Sequence, residues 1–157
     1  MAIAIALQQY LADHGVKYDL VTHVPTLSAM RTAEACHVRG DCVAKAVVVK
    51  EHGGYLLAVI PASHRLRLDD LAGLLNREVE LATEQELEGV FQDCARGAVP
   101  PVGAAYGLRM VVDDRIAGQS EIYFEGGDHA TLVHVSGPEF ARLTGGLPHG
   151  LFSYHHH

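Results

Sequence analysis

Residues 44–51 (Ala-Lys-Ala-Val-Val-Val-Lys-Glu) and 55–61 (Tyr-Leu-Leu-Ala-Val-Ile-Pro) are two runs of β-branched and aliphatic side chains, separated only by His52-Gly53-Gly54. A short glycine-bearing connector between such runs specifies a β-hairpin. A hairpin alone is not stable in water, so the rest of the chain must supply further strands and a cover. Side chains alternate along the first run. Lys45 shares a face with Val47 and Val49, and Lys50 shares the other with Ala46 and Val48. The Lys45 face is the bulkier apolar one and is expected to point inward. A lysine at the end of an inward face either snorkels to solvent or projects into a cavity. In a cavity it can bind an anionic group or polarise a carbonyl.

The flanking sequence supplies the cover. Ile3, Leu7, Tyr10 and Leu11 fall at helical spacing before Gly15, and residues 16–23 alternate as a strand that Pro25 ends. Ser28 is placed to cap a helix through Met30 and Ala33. Residues 68–75 read as a helix with Asp69 and Asp70 in its first turn, and 79–81 as a short strand. Thr83-Glu84-Gln85-Glu86 matches a capping box. Residues 108–112, 121–124 and 131–135 read as strands, and 136–144 as a last helix, with Ser136 as its cap and Pro138 in its first turn. Hairpins mixed with crossovers predict an α+β fold with a mixed, strongly curved sheet.

Length and composition agree with one domain. The chain has 157 residues, 48% hydrophobic and 20% charged. No apolar run approaches the roughly 18 residues of a membrane span, and the apolar start lacks the basic leader of a signal peptide. Three cysteines (Cys36, Cys42, Cys94) without metal-ligand spacing are expected to be reduced thiols of a cytoplasmic protein. A net charge of −7 argues against a broad nucleic-acid footprint, and no DNA partner is expected. It leaves room for contact with a few phosphates at one end of an RNA. The basic residues Arg31, Arg39, Lys45, Lys50, Arg65 and Arg67 gather in the first half. His155-His156-His157 reads as a tag remnant, so the domain is expected over 1–150 and a tail over 151–157.

Cys94-Ala95-Arg96-Gly97-Ala98-Val99-Pro100-Pro101-Val102-Gly103 is stiffened by prolines and opened by glycines. It is either a tight connection into a strand or a wall of a ligand pocket. In the second case Gly97 and Ala98 offer N–H groups as an oxyanion site, and Pro100 and Pro101 shape it. His129 has the parity of Val133 and Val135 and leans to the core side, either as a buried hydrogen-bonded histidine or as a pocket residue; His134 has the opposite parity and is expected to be exposed. Cys94 is weighed as a nucleophile, but no base stands beside it in sequence. The histidines His23, His37, His52 and His64 show no ligand spacing, so no catalytic metal is expected.

Taken together, His23-Val24-Pro25 with Ser28, the lysine strand Val43-Ala44-Lys45-Ala46-Val47-Val48, the Gly97-x-x-x-Pro101 motif and Gly127-Asp128-His129 resemble the YbaK/EbsC family of free-standing aminoacyl-tRNA editing domains. That family is related to the insertion domain of bacterial prolyl-tRNA synthetase. The lead-in Phe91-Gln92-Asp93-Cys94 and the double proline look most like its YeaK-type branch. The resemblance implies one domain with a barrel-like curved mixed sheet surrounded by helices. It implies a metal- and cofactor-independent hydrolase that cuts the ester between a wrong, small amino acid (alanine, serine, threonine or cysteine) and the terminal adenosine of tRNA. Lys45 matches the family's essential lysine, Gly97 and Pro101 its Gly-x-x-x-Pro loop, and His129 a pocket histidine. Met30 and Ala33 fall where relatives line the amino-acid pocket, and Ala98 joins them as a substrate contact. The expected partner is the acceptor end of an aminoacyl-tRNA, gripped by a monomer or weak homodimer. The alternative is a non-catalytic module of the same fold that binds a tRNA 3′ end or a nucleotide-like ligand.

Overall fold

A computed structural model of the chain describes residues 3–155. The predicted hairpin is its centre. Strand β2 (Val43–Glu51) pairs antiparallel with β3 (Gly54–Pro61), in register from Ala44 opposite Pro61 to Glu51 opposite Gly54. Four elements precede or flank it in sequence: helix α1 (Ile5–Asp13), strand β1 (Asp19–Thr22), helix α2 (Ala29–Ala35) and strand β4 (His64–Leu66). Helix α3 (Leu68–Leu75), strand β5 (Glu80–Leu81) and helix α4 (Glu84–Val90) follow. After the proline loop come β6 (Arg109–Asp113), α5 (Asp114–Ala117), β7 (Glu121–Glu125), β8 (Thr131–Ser136), α6 (Gly137–Thr144), β9 (His149–Gly150) and β10 (Ser153–His155).

Eight of these strands form one mixed sheet in the order β1-β8-β7-β2-β3-β6-β9, with β5 pairing on β2. The β2–β7, β3–β6 and β6–β9 pairs are parallel, and the β1–β8 and β7–β8 pairs antiparallel. The α+β architecture with a mixed sheet and flanking helices is the expected one. The local signals are also in place: Ser28 accepts the Arg31 amide at the start of α2, Thr83 and Glu86 form the capping box of α4, and Ser136 caps α6.

Both faces of the hairpin are covered. Ala44, Val48, Leu57 and Val59 face the larger core with α1, Phe124, Val133 and Phe140. Val49, Ala58 and Ile60 face a second core closed by Leu71 and Phe152. Alternation along the strand therefore does not separate an inside from an outside. His134, expected to be exposed, is half-buried because β8 lies between β1 and β7. Its ring stacks on Tyr123 and sits between Asp19 and Glu121.

The carboxyl end departs most from expectation. Phe152 is fully buried, and β10 pairs antiparallel with β4. Residues 152–155 are thus part of the packed body rather than a hanging tail. His156 and His157, the rest of the expected tag remnant, lie outside the described residues. Strands β4, β9 and β10 and helix α5 have two to four residues each, too short to show a period. Among the described residues, no helix is long and apolar enough to cross a membrane.

Candidate functional site

Strands β2 and β7 run parallel, with Val43 opposite Tyr123 and Ala44 opposite Phe124. The next residues on the two strands are Lys45 and Glu125. Side chains at such positions share a face and ordinarily pair when oppositely charged. Here they diverge. The Lys45 ammonium donates to the carbonyl of His64, 3.1 Å away at the start of β4. The Glu125 carboxylate turns the other way, into the β7–β8 loop, where its Oε2 accepts the amides of Gly127 (2.8 Å), Asp128 (3.2 Å) and His129 (3.1 Å). A cavity of about 590 Å³ opens there, lined by Lys45 and Glu125 together with residues of α2, β4 and the proline loop. Burial, and then the charge of neighbouring Arg65, lowers the Lys45 pKa from the ordinary lysine value. Arg65 also lines the cavity, so this end of it carries two cations.

The proline loop forms the facing wall through Gly97 and Val99. Gly97 has φ +79°, a left-handed conformation that favours glycine, and a Cβ there would stand 3.8 Å from the His129 ring. The loop is pinned from three sides. Arg96 pairs with Glu84 and Glu88 of α4, the Ala95 amide donates to the Gly127 carbonyl at 2.7 Å, and His129 Nε2 donates to the Arg96 carbonyl at 2.5 Å. His129 is not on β8 but in the loop before it, with φ +60°, held by the Glu125 cradle. Its strand parity therefore has no bearing, yet its ring does line the cavity. Its Nδ1 stands 3.9 Å from Glu125 Oε1, on the side of the ring away from the Arg96 carbonyl.

Helix α2 closes the third side. Met30 lines the cavity and is 39% exposed, which makes it reachable by a ligand. Its Sδ lies against Gly40, where an added Cβ would come within 2.5 Å. Lys45, Gly97, His129 and Met30 are thus brought together. Ala33, Ala98 and Pro101 are not: all three are buried and stand outside the cavity lining. Ala33 packs with Val43 and Ala62 behind the wall. The Ala98 amide closes a turn on Ala95 O at 2.9 Å, so it does not serve as an oxyanion donor. Sequence patterns do not single out Glu125 or His64 as site residues, and they mark Arg65 only as a member of a basic half. Glu125 ends a strand, and its role depends on a loop fold that no local pattern encodes.

Cys94 is on the far side of the loop, outside the cavity lining, and its thiol meets the Tyr106 hydroxyl at 3.3 Å. Burial pushes the thiol pKa up to about 12, the opposite of an activated nucleophile. Among the described residues, no three His, Cys, Asp or Glu side chains are grouped to hold a metal ion.

Several solved structures share this arrangement of elements. The hypothetical protein APE2540 superposes with a TM-score of 0.83 at 24% identity, over 95% of this chain and 99% of its own. A candidate trans-editing enzyme for prolyl-tRNA synthetase superposes with a TM-score of 0.80 at 24% identity, over 95% of both chains. A protein from Marinobacter aquaeolei VT8, described as a signal-transduction candidate, matches with a TM-score of 0.75 at 20% identity over 95% of this chain but 30% of its own, so the fold also occurs as one part of a longer polypeptide. No curated protein sequence matches significantly. The match to a sequence family spans residues 23–143, from the His23 motif through the lysine strand, the proline loop and His129 to the last helix, and by it this chain belongs to the aminoacyl-tRNA editing domain family.

Proposed function

We propose that this protein is a trans-editing deacylase that hydrolyses the ester of a tRNA mischarged with a small amino acid. The observation that carries the reading is the Lys45 ammonium, half-buried and anchored on the His64 carbonyl, in a cavity whose volume suits the end of an aminoacyl-nucleotide. An aminoacyl ester is already activated, so the protein needs to position water and stabilise charge on the carbonyl oxygen. Lys45 suits the second of these roles, because a partly desolvated cation interacts more strongly with a developing oxyanion than a solvated one does. The ribose hydroxyl beside the ester assists the attacking water. Met30 and Gly97 bound the space for the amino-acid side chain, and a net charge of −7 fits a protein that grips the acceptor end rather than the tRNA body.

Single-turnover deacylation of a panel of aminoacyl-tRNAs tests the reading. Hydrolysis well above buffer is expected for one or more of alanyl-, seryl-, threonyl- and cysteinyl-tRNA, with bulkier residues spared. Discrimination between neighbours differing by one methylene should stay within about 10–200-fold. Binding of acceptor ends with no rate above buffer for any of them would instead make the protein a binding module. Activity that a chelator abolishes would contradict the metal-independent site.

A further inference from the structure

Strands β4 and β10 form a two-stranded ribbon beside the cavity, in register from His64 opposite His155 to Leu66 opposite Ser153. Its two faces differ. On one, His64 and Ser153 are buried. On the other, Arg65 stands opposite Tyr154, and Arg67 follows two residues later on the same side. The Arg67 guanidinium lies over the Tyr154 ring, 4.4 Å from its centroid, and the tyrosine stays 38% exposed. Arg65 and Arg67 are exposed as well, and Arg65 also lines the cavity. The stacked pair is therefore continuous with the cavity through Arg65. The ribbon is fastened from elsewhere, by the bonds of the Phe152 amide and the Ser153 hydroxyl to buried Asp113.

An exposed aromatic ring stacked on a guanidinium, with a second guanidinium beside it, is the chemistry that takes a nucleobase on a π-face and the adjoining phosphate on a cation. Arg65 and Arg67 are about 6.6 Å apart along an extended chain, close to one step of an extended nucleic-acid strand. The patch also has a direction. From the cavity come Arg65, then Arg67 with Tyr154, then Asp69 and Asp70 in the first turn of α3. Arg67 Nε is 4.0 Å from Asp70 Oδ2, with both side chains about half exposed. A phosphate track leading out of the cavity therefore ends after about one nucleotide, where the carboxylates begin to repel it. We infer that the β4–β10 ribbon binds the penultimate nucleotide of the RNA whose 3′ end enters the cavity. Its base lies on the Arg67–Tyr154 stack, and the phosphate linking it to the terminal nucleoside meets Arg65. Identifying that RNA as an aminoacyl-tRNA rests on the editing reading above; the nucleotide site itself does not.

The test compares two stable amide probes on the full chain by calorimetry: 3′-deoxy-3′-(alanylamino)adenosine, and the same compound extended by one 5′-linked cytidylyl group. The readout is the ratio of their dissociation constants within each protein, so a general loosening of the cavity cancels. In the wild type the dinucleotide should bind at least about fivefold tighter, the lower end of what one stacked base contributes. Its affinity should also fall more steeply with salt, by about 0.7 in log–log slope for the one added phosphate. Tyr154→Leu keeps an apolar side chain on the ribbon and should bring the ratio to within about twofold, and Arg65→Gln should remove the added salt dependence. A wild-type ratio within about twofold would overturn the site, and that measurement needs no variant to fold. A ratio unchanged in Tyr154→Leu would overturn it too, by placing the added nucleotide elsewhere. If the ratio is present and lost in Tyr154→Leu but no aminoacyl-tRNA is hydrolysed, the nucleotide site stands and the deacylase reading falls. Hydrolysis of aminoacyl-tRNA with a flat ratio gives the reverse.

Discussion

Lys45 and Glu125 sit where two opposite charges would ordinarily neutralise each other, one residue beyond a register-matched pair on parallel strands. Each is held away from the other by backbone groups, the His64 carbonyl for one and three loop amides for the other. The cost falls on Lys45. Because burial lowers its pKa, the unfolded chain binds that proton more tightly than the folded one does. The penalty is fully present below the folded pKa and fades as pH rises through it toward the ordinary lysine value of about 10.4. Lys45→Met should therefore fold with a melting temperature at or above wild type, and the difference should shrink as the pH is raised. The same variant should lose about 10²–10³-fold in deacylation, the usual effect of removing one oxyanion-stabilising donor. Full turnover in Lys45→Met would remove Lys45 from the chemistry; a large loss of stability would show that its burial carries no net cost. Lys45 is legible in the sequence because a charge in an otherwise apolar run stands out. Glu125 is not, because an acidic residue at a strand end is unremarkable until the loop closes around it.

At the scale of elements, the same contrast separates what local chemistry encodes from what tertiary contact decides. The capping box of α4 can be read directly, because its two hydrogen bonds lie within four consecutive residues. Its partners cannot. Glu86 also accepts from the Tyr55 hydroxyl at 2.7 Å and pairs with Lys50 at 3.3 Å, which fastens α4 to the central hairpin. The Thr83 amide, then the Tyr55 hydroxyl, depress the Glu86 pKa to about 2. A depressed carboxylate contributes stability that is present above its unfolded pKa of about 4.3 and is lost as pH falls through the folded value. Urea midpoints followed from pH 7 downward should accordingly decline between about pH 4.3 and about pH 2. Glu86→Gln should be less stable at pH 7 and should converge on wild type at the acid end. Parallel curves for the two proteins across that window would show that the network adds nothing. The proline loop gives the complementary case. Its stiffness and its place at a pocket are legible, but which residues face the ligand is set by the turn: Gly97 and Val99 face in, whereas Ala98 and Pro101 are packed behind.

For the whole molecule, the decisive contact is the one between the carboxyl end and the lysine site. Strand β10 pairs with β4, placing His155 opposite His64, whose carbonyl holds the Lys45 ammonium. The end is latched by Asp113, a fully buried carboxylate at the start of α5 that accepts the Phe152 amide at 3.0 Å and the Ser153 hydroxyl at 2.8 Å. Phe152 fills the second core beside Leu71, Ile60 and Val111. In sequence this segment looks like a tail because its last residues are polar and repetitive, and because a single phenylalanine makes no period. Two changes separate its structural contribution from its effect on the site. Phe152→Ala should cost about 3–5 kcal/mol, as expected for emptying a packed aromatic position, and is read by chemical denaturation. Asp113→Ala leaves the Phe152 amide and the Ser153 hydroxyl without their buried acceptor, at about 1–3 kcal/mol for each group that stays dry. If β10 holds β4 in place, a protein lacking residues 152–157 should lose deacylation even at a temperature where circular dichroism finds it folded, since the His64 carbonyl is then no longer fixed under Lys45. A truncated chain that is folded and fully active would show that β4 holds its position without β10, and that the carboxyl end serves the core alone.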